Sequence, residues 1–187
     1  LIYTPNANYY GSDSFTYIAT DGTAQSNSAT VSITVNAVND VPVATDDSAT
    51  TPEDTAVAID VLGNDTDADG NPLTVASVTQ GSHGSVTFTS SGVVYTPNLN
   101  FNGPDSFSYT ASDGQGGSAT ATVNVTVTPV NDGPIANDDL YVASEDTVLT
   151  VAVPGVLGND SDVDGDALSA TLGTGPAHGT LSLNSNG

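Results

Sequence analysis

The sequence predicts an all-β fold made of small two-sheet sandwiches in tandem, with about seven short strands to each repeat. Three observations carry this. Apolar and polar residues alternate with period two, as in Phe107, Tyr109 and Ala111 and again in Val123, Val125 and Val127, whereas no stretch has a 3.6-residue period. Turn-forming Gly, Asn, Asp and Pro separate these runs at short intervals. The whole pattern then returns once along the chain.

The repeat sets the domain plan. Tyr3-Thr4-Pro5-Asn6 returns as Tyr95-Thr96-Pro97-Asn98, Asp13-Ser14-Phe15 as Asp105-Ser106-Phe107, and Glu53-Asp54-Thr55 as Glu145-Asp146-Thr147, each 92 residues on. Leu62-Gly63-Asn64-Asp65 returns as Leu157-Gly158-Asn159-Asp160, and His83-Gly84 as His178-Gly179, 95 residues on. Three residues are therefore inserted near Val153-Pro154-Gly155. Taking the Asn-Asp-x-Pro segments (Asn39 to Pro42, Asn131 to Pro134) as linkers, residues 41–132 form a complete sandwich. Residues 1–40 are the C-terminal half of one repeat, and 133–187 the N-terminal half of another. Leu1-Ile2-Tyr3 reads as the inside of a strand, so the chain is expected to be a piece of a longer protein.

Within 41–132 the expected strands lie near 43–50, 55–61, 73–79, 84–89, 93–96, 105–112 and 118–128. Seven short strands in about 90 residues read as an immunoglobulin-like sandwich. The Tyr17 and Tyr109 rings either fill the core or close a tyrosine corner through their hydroxyls. Consecutive loops alternate between the two ends. The 62–72 loop, the 89–92 turn and the 113–117 loop share the end where the preceding linker arrives; the 51–54 turn and the 97–104 loop share the other.

Composition narrows function. There is no Lys or Arg against 22 carboxylates, twenty of them Asp, for a net charge of −22. Phosphate binding needs Lys or Arg, so nucleic acid is excluded as a partner, and an anionic membrane surface is disfavoured. No apolar run approaches the ~20 residues of a membrane helix, so no membrane insertion is expected. There is no Cys for a disulfide and no Lys for an isopeptide staple.

The acids recur in register. Asp65, Asp67 and Asp69 form a D-x-D-x-D-G run, and Asp160, Asp162, Asp164 and Asp166 form its copy. Short carboxylates two residues apart in a tight loop converge on one point. Such hard oxygen ligands suit Ca²⁺, whereas zinc would call for a His/Cys cluster that is absent. Against this stands the plain reading that Asp-Gly is ordinary turn chemistry. An EF-hand is excluded, because the bidentate Glu of that loop would fall on Ala76 and Thr171. The further ligands expected are Asn39, Asp40, Asp113 and Asp13 at the first junction. At the second they are Asn131 and Asp132, with Asp105 and Glu53 or Asp54 from the repeat before it. Asp46-Asp47 and Asp138-Asp139 read as solvated strand-start residues. His83 and His178 read as polar caps of a turn, with a pH-sensing role as the alternative. Asn64, Asn124 and Asn159 fit a glycosylation triplet. No catalytic triad, P-loop or dinucleotide fingerprint is present, and paired carboxylates of the glycosidase kind would need a cleft; no enzyme is expected.

Together, the Val38-Asn39-Asp40-Val41-Pro42 linker, the Glu53-Asp54-Thr55 turn, the acidic loop and the Phe-x-Tyr-x-x-x-Asp-Gly strand resemble bacterial cadherin-like (VCBS-type) tandem repeats. Such repeats build giant secreted adhesins, often with RTX-type export. Relative to the cadherin linker, Ala37 and Pro129 replace its first Asp, and Val41 and Gly133 its last Asn. The resemblance implies an extracellular or cell-surface array of cadherin-like sandwiches stiffened by Ca²⁺, with neighbouring repeats as partners. Two alternatives stay open. One is a self-assembling filament whose half-sandwiches are completed by neighbouring copies. The other is a module that binds a surface glycan or protein.

Overall fold

The computed structural model describes residues 1–187. The chain divides into two compact units, Leu1–Thr128 and Pro129–Gly187. The first unit opens with strands β1 (Gly11–Tyr17) and β2 (Ala29–Val35), which pair antiparallel from Gly11–Val35 to Tyr17–Ala29. The complete repeat follows, with seven strands: β3 (Asp47–Pro52), β4 (Val57–Ile59), β5 (Thr74–Val78), β6 (Gly84–Thr89), β7 (Gly92–Pro97), β8 (Gly103–Ser112) and β9 (Ser118–Thr128). They form a four-stranded sheet, β3-β9-β8-β5, and a three-stranded sheet, β4-β7-β6. All ladders are antiparallel except β3–β9.

Alternation explains why these segments become strands. One side of β8 buries Phe107, Tyr109 and Ala111, and one side of β9 buries Ala121, Val123, Val125 and Val127. Ile59, Val86, Val93 and Tyr95 meet them from the second sheet. Burial of an aliphatic side chain of this kind stabilises by about 1.5–3 kcal/mol. A register slip of one residue would turn all of them outward. The expected strands are all present, with shifts at their ends. The first begins at Asp47, because Val43 to Asp46 serve the linker: Val43 makes an isolated bridge to Thr66 of the acidic loop.

The segments on either side of the complete repeat form fewer ladders. The β1–β2 ladder reproduces β8–β9 in the same register, since Gly11–Val35 matches Gly103–Val127. Residues 1–5, the counterpart of β7, form no strand. The second unit contains no strand, only a 3₁₀ turn at Gly155–Leu157. Its sequence carries counterparts of β3 to β6, whose ladders in the complete repeat run to β7, β8 and β9. What survives is local: the Ile135–Ser161 bridge repeats Val43–Thr66.

Candidate metal centre

The acidic loop of the first unit is held by its own carboxylates. Asp67 Oδ1 accepts from the backbone N–H of Asp69 (2.9 Å) and Asn71 (3.1 Å), and Gly70 N–H reaches Asp67 O (3.1 Å). Gly70 has φ +74°, a conformation that side chains resist. The linker closes over this turn. Asp40 N–H donates to Asp69 Oδ2 (2.7 Å), Asn39 Nδ2 donates to Asp113 Oδ2 (2.7 Å), and Asn71 Nδ2 donates to Asn39 Oδ1 (3.2 Å). Asp113 is buried, and its Oδ1 accepts from Gln115 N–H (2.8 Å) and Gly117 N–H (2.9 Å). Gly117 is required there, because a Cβ would sit on Asp113 Oδ2. The Asn39 amide, helped by these two N–H groups, holds the Asp113 carboxyl below its ordinary range against the opposing effect of burial.

One oxygen in this arrangement is left over. Asp67 Oδ2 is buried and has no hydrogen-bond partner. A buried carboxylate oxygen without a donor is costly unless a cation meets it. No Lys or Arg exists to do so.

The second unit repeats the geometry. Asp162 Oδ1 accepts from Asp164 N–H (3.0 Å) and Asp166 N–H (3.2 Å). Asp132 N–H donates to Asp164 Oδ2 (2.7 Å), as Asp40 does to Asp69, and Asn131 Nδ2 turns to Asp132 O (2.8 Å). One oxygen from each of Asp162, Asp164 and Asp166 lies within 4.8 Å of the others. Oxygens bound to one Ca²⁺ at ~2.3–2.6 Å can be no more than about 5 Å apart, so the three fit a single ion.

Several expected ligands do other work. Asp65 turns away from its loop: its Oδ1 accepts from Thr45 N–H (2.8 Å), and the Tyr109 hydroxyl donates to both of its oxygens (2.9 and 3.0 Å). Asp160 likewise accepts from Asn137 N–H (2.8 Å). Asp105 Oδ2 accepts from the Tyr95 hydroxyl (2.8 Å) and His83 N–H (3.0 Å), and its Oδ1 from Ser106 (2.9 Å) and Ser82 (3.0 Å). Burial raises that carboxyl, but these four donors outweigh it and bring it below the ordinary value. Asp13 accepts from the Tyr3 hydroxyl (2.7 Å), the same pair in the earlier repeat. Asp54, at φ 58°, accepts from Asn100 N–H (2.8 Å), and buried Glu53 donates its N–H to Thr128 O (2.9 Å).

Other residues enter beside the expected ligands. Asn71 joins the first cluster; its signal was its copy, Asp166. Asp46 is no bystander, since its Oδ1 takes Thr122 N–H (2.7 Å). Asp47 is half-buried with Oδ2 unpartnered, and burial raises its carboxyl. The Tyr109 hydroxyl closes on Asp65 and Thr45 O (3.2 Å) while its ring fills the core. The His83 ring stacks on Phe101 at 4.3 Å.

A bacterial Ig domain model matches residues 1–34 and 39–126. The chain belongs to that family. A bacterial cadherin-like domain model matches residues 131–187, in line with the resemblance of the repeats. Domains of these two kinds are adhesion or structural modules, generally non-enzymatic and typically extracellular or surface-associated. Among solved structures, the protocadherin gammaB7 EC3-6 cis-dimer is 23% identical over 73% of this chain and 36% of that one, with TM-score 0.47. The human desmocollin-1 ectodomain is 14% identical over 67% and 26%, with TM-score 0.36. An endo-fucoidan hydrolase of glycoside hydrolase family 107 is 25% identical over 67% and 20%, with TM-score 0.39. The chain thus spans about a fifth of that hydrolase, and at these scores the likenesses bear on neither activity nor ligand. No curated protein matches the chain. No helix is long and apolar enough to cross a membrane.

Proposed function

We propose that this bacterial Ig-family chain is a segment of an extracellular, calcium-rigidified adhesin stalk or surface fibre. The observation that supports it best is the convergence of Asp162, Asp164 and Asp166 within 4.8 Å, with a linker residue bonded to the same loop. In the second unit Asp162, Asp164 and Asp166 would hold the ion, with Asn131 and Asp132 beside them. In the first unit Asp67, Asp69, Asn71, Asn39 and Asp113 would do so. A bound Ca²⁺ supplies the positive charge that the chain lacks. The residues supply the coupling: Asp40 and Asp132 tie the linker backbone to the loop, so ordering the loop orders the joint between repeats.

The binding-module alternative rests on a cleft of about 240 Å³ lined in part by Tyr9, Tyr10, Asn6 and Asp40. Tyr9 is the counterpart of Phe101, which in the complete repeat stacks on His83. Its ring takes the place of a packing residue of the complete repeat, which speaks against a glycan site.

Calorimetric titration tests the reading. Ca²⁺ should bind with an affinity near the ~10⁻⁴–10⁻³ M of extracellular modules. Asp162→Asn with Asp164→Asn should abolish the second-unit component and leave the first. X-ray scattering should show a narrower range of conformations with Ca²⁺ than with EGTA. Absence of both binding heat and any scattering change at 10-fold excess over that range would sink the proposal.

A further inference from the structure

A chain without Lys lacks a common guard of sheet edges, where a basic side chain keeps an open strand from pairing with a neighbour. The complete repeat has four edge strands, β3 and β5 in one sheet and β4 and β6 in the other. Three of them carry another guard. β3 begins on acidic Asp47 and ends on Pro52, β4 is three residues long, and β5 is bulged between Val75 and Ser77. β6 has none of these. Its six residues hold no charge and no Pro, and its neighbour β7 holds no charge either. Val86, Thr87, Phe88 and Thr89 are β-branched or aromatic, which is the composition of a strand that adds to others.

The side chain of Gln80 lies against the open side of β6. Its Nε2 donates to Val86 O (2.9 Å), and Val86 N–H donates to its Oε1 (2.7 Å). One amide thus makes the pair of hydrogen bonds that a residue of an adjoining strand would make. In an antiparallel ladder the residues that turn both backbone groups away from their partner alternate, so on β6 they are Gly84, Val86 and Phe88. Val86 is the middle one. Beyond them, Ser90 O accepts from Val75 N–H of β5 (3.1 Å). The open run is cut at its centre and closed at one end. Gln80 is exposed, so water could satisfy its amide; both of its polar atoms are nonetheless committed to a single residue of the edge.

We propose that Gln80 is an edge lock: its amide occupies the Val86 backbone in place of a strand and so keeps β6 from accepting one. With the lock removed, β6 presents an uncharged edge that pairs antiparallel with itself, since two copies of one strand meet about a two-fold axis. In a chain of like repeats such pairing would join domains through their sheets, and the lock prevents it. The lock is independent of the acidic loops and of any ion they hold.

The test uses the whole chain in EGTA, so that its outcome is separate from that of the calcium reading. Physiological salt screens the net charge of −22 beyond ~8 Å. In the unaltered chain, amide exchange followed by NMR should show Val86 N–H protected. Phe88 N–H, on the same edge but not bonded to Gln80, should exchange roughly tenfold faster or more. This measurement needs no substitution, so it decides whether or not a variant folds. Gln80→Ala should self-associate more than the unaltered chain, with sedimentation giving a species of twice 18.6 kDa. Val86 and Phe88 N–H should both be protected in that species. Gln80→Glu loses the donor but puts a charge on the edge, so it should lose comparable stability and associate no more than the unaltered chain. Three results would each overturn the proposal. They are equal exchange of Val86 and Phe88 N–H in the unaltered chain, no added association in Gln80→Ala, and equal association of the two variants.

Discussion

Replacing Asp105 by Ala separates a structural carboxylate from a metal ligand. Asp105 accepts four hydrogen bonds, from Tyr95, His83, Ser82 and Ser106. A hydrogen bond to a charged group contributes about 1.5–3 kcal/mol when its partner cannot reach water. That condition holds for the Tyr95 hydroxyl, whose residue is fully buried. The three backbone donors sit on exposed residues and can rehydrate, which leaves about 1 kcal/mol for loosening of the turn between β5 and β6. The sum is about 2.5–4 kcal/mol, a large share of the ~5–15 kcal/mol that keeps a domain folded. At 4–8 °C per kcal/mol for a domain of this size, the midpoint should fall by roughly 10–32 °C. Tyrosine fluorescence reports it directly, since the chain has seven Tyr and no Trp. Asp13→Ala removes the corresponding carboxylate from the preceding segment and should leave the transition of the central repeat in place. The Asp105 carboxyl lies below its ordinary value in the fold, so its contribution is fully present above about pH 4. It is lost as pH falls through the folded value, and the deficit of the variant should shrink there. A loss under about 4 °C, or one that disappears when EGTA replaces Ca²⁺, would refute the assignment and return Asp105 to the ligands.

Further outcomes are expected. Ca²⁺ at about 100 times its dissociation constant should stabilise the folded joint by ~2.7 kcal/mol, read as a thermal shift absent in EGTA. Gly84→Ala should cost about 1–3 kcal/mol in urea unfolding, because a Cβ there meets the rigid Tyr95 ring at 2.5 Å. Asp21 should titrate at about 2 by carbon NMR, because Thr23 N–H and then Ala24 N–H hold its ionised form. The loop it closes stays tied above the ordinary carboxylate range and opens only as pH falls through that value. Subtilisin should cut the joints faster in EGTA, whereas trypsin finds no Lys or Arg in either condition.

The strands were legible because alternation is local. Phe107, Tyr109 and Ala111 declare one face of β8 without knowledge of any neighbour. The acidic loop was legible as a cluster, since repetition in phase is hard to reconcile with chance turns. The partition within it was not. Asp65, Asp67 and Asp69 are equivalent in a one-dimensional reading, and Asp65 is drawn off by Tyr109, 44 residues away. Asp105 was misleading for the same reason: its four donors come from segments the sequence does not place beside it. Asn71 could have been found by aligning the copies, because Asp166 occupies its place. Residues 133–187 repeat the pattern of β3 to β6 without forming strands, so local alternation does not by itself make a ladder.

The parallel pairing of β3 with β9 has a mechanical consequence. These are the first and last strands of the complete repeat, and because they run the same way, the chain enters at one pole and leaves at the other. Tension along the polypeptide therefore loads the six-residue ladder from Asp47–Val123 to Pro52–Thr128 lengthwise. Its hydrogen bonds must slip together and cannot unzip singly. The repeat is built as a shear clamp, and its resistance to pulling resides in two strands that a thermal melt would not distinguish from the rest.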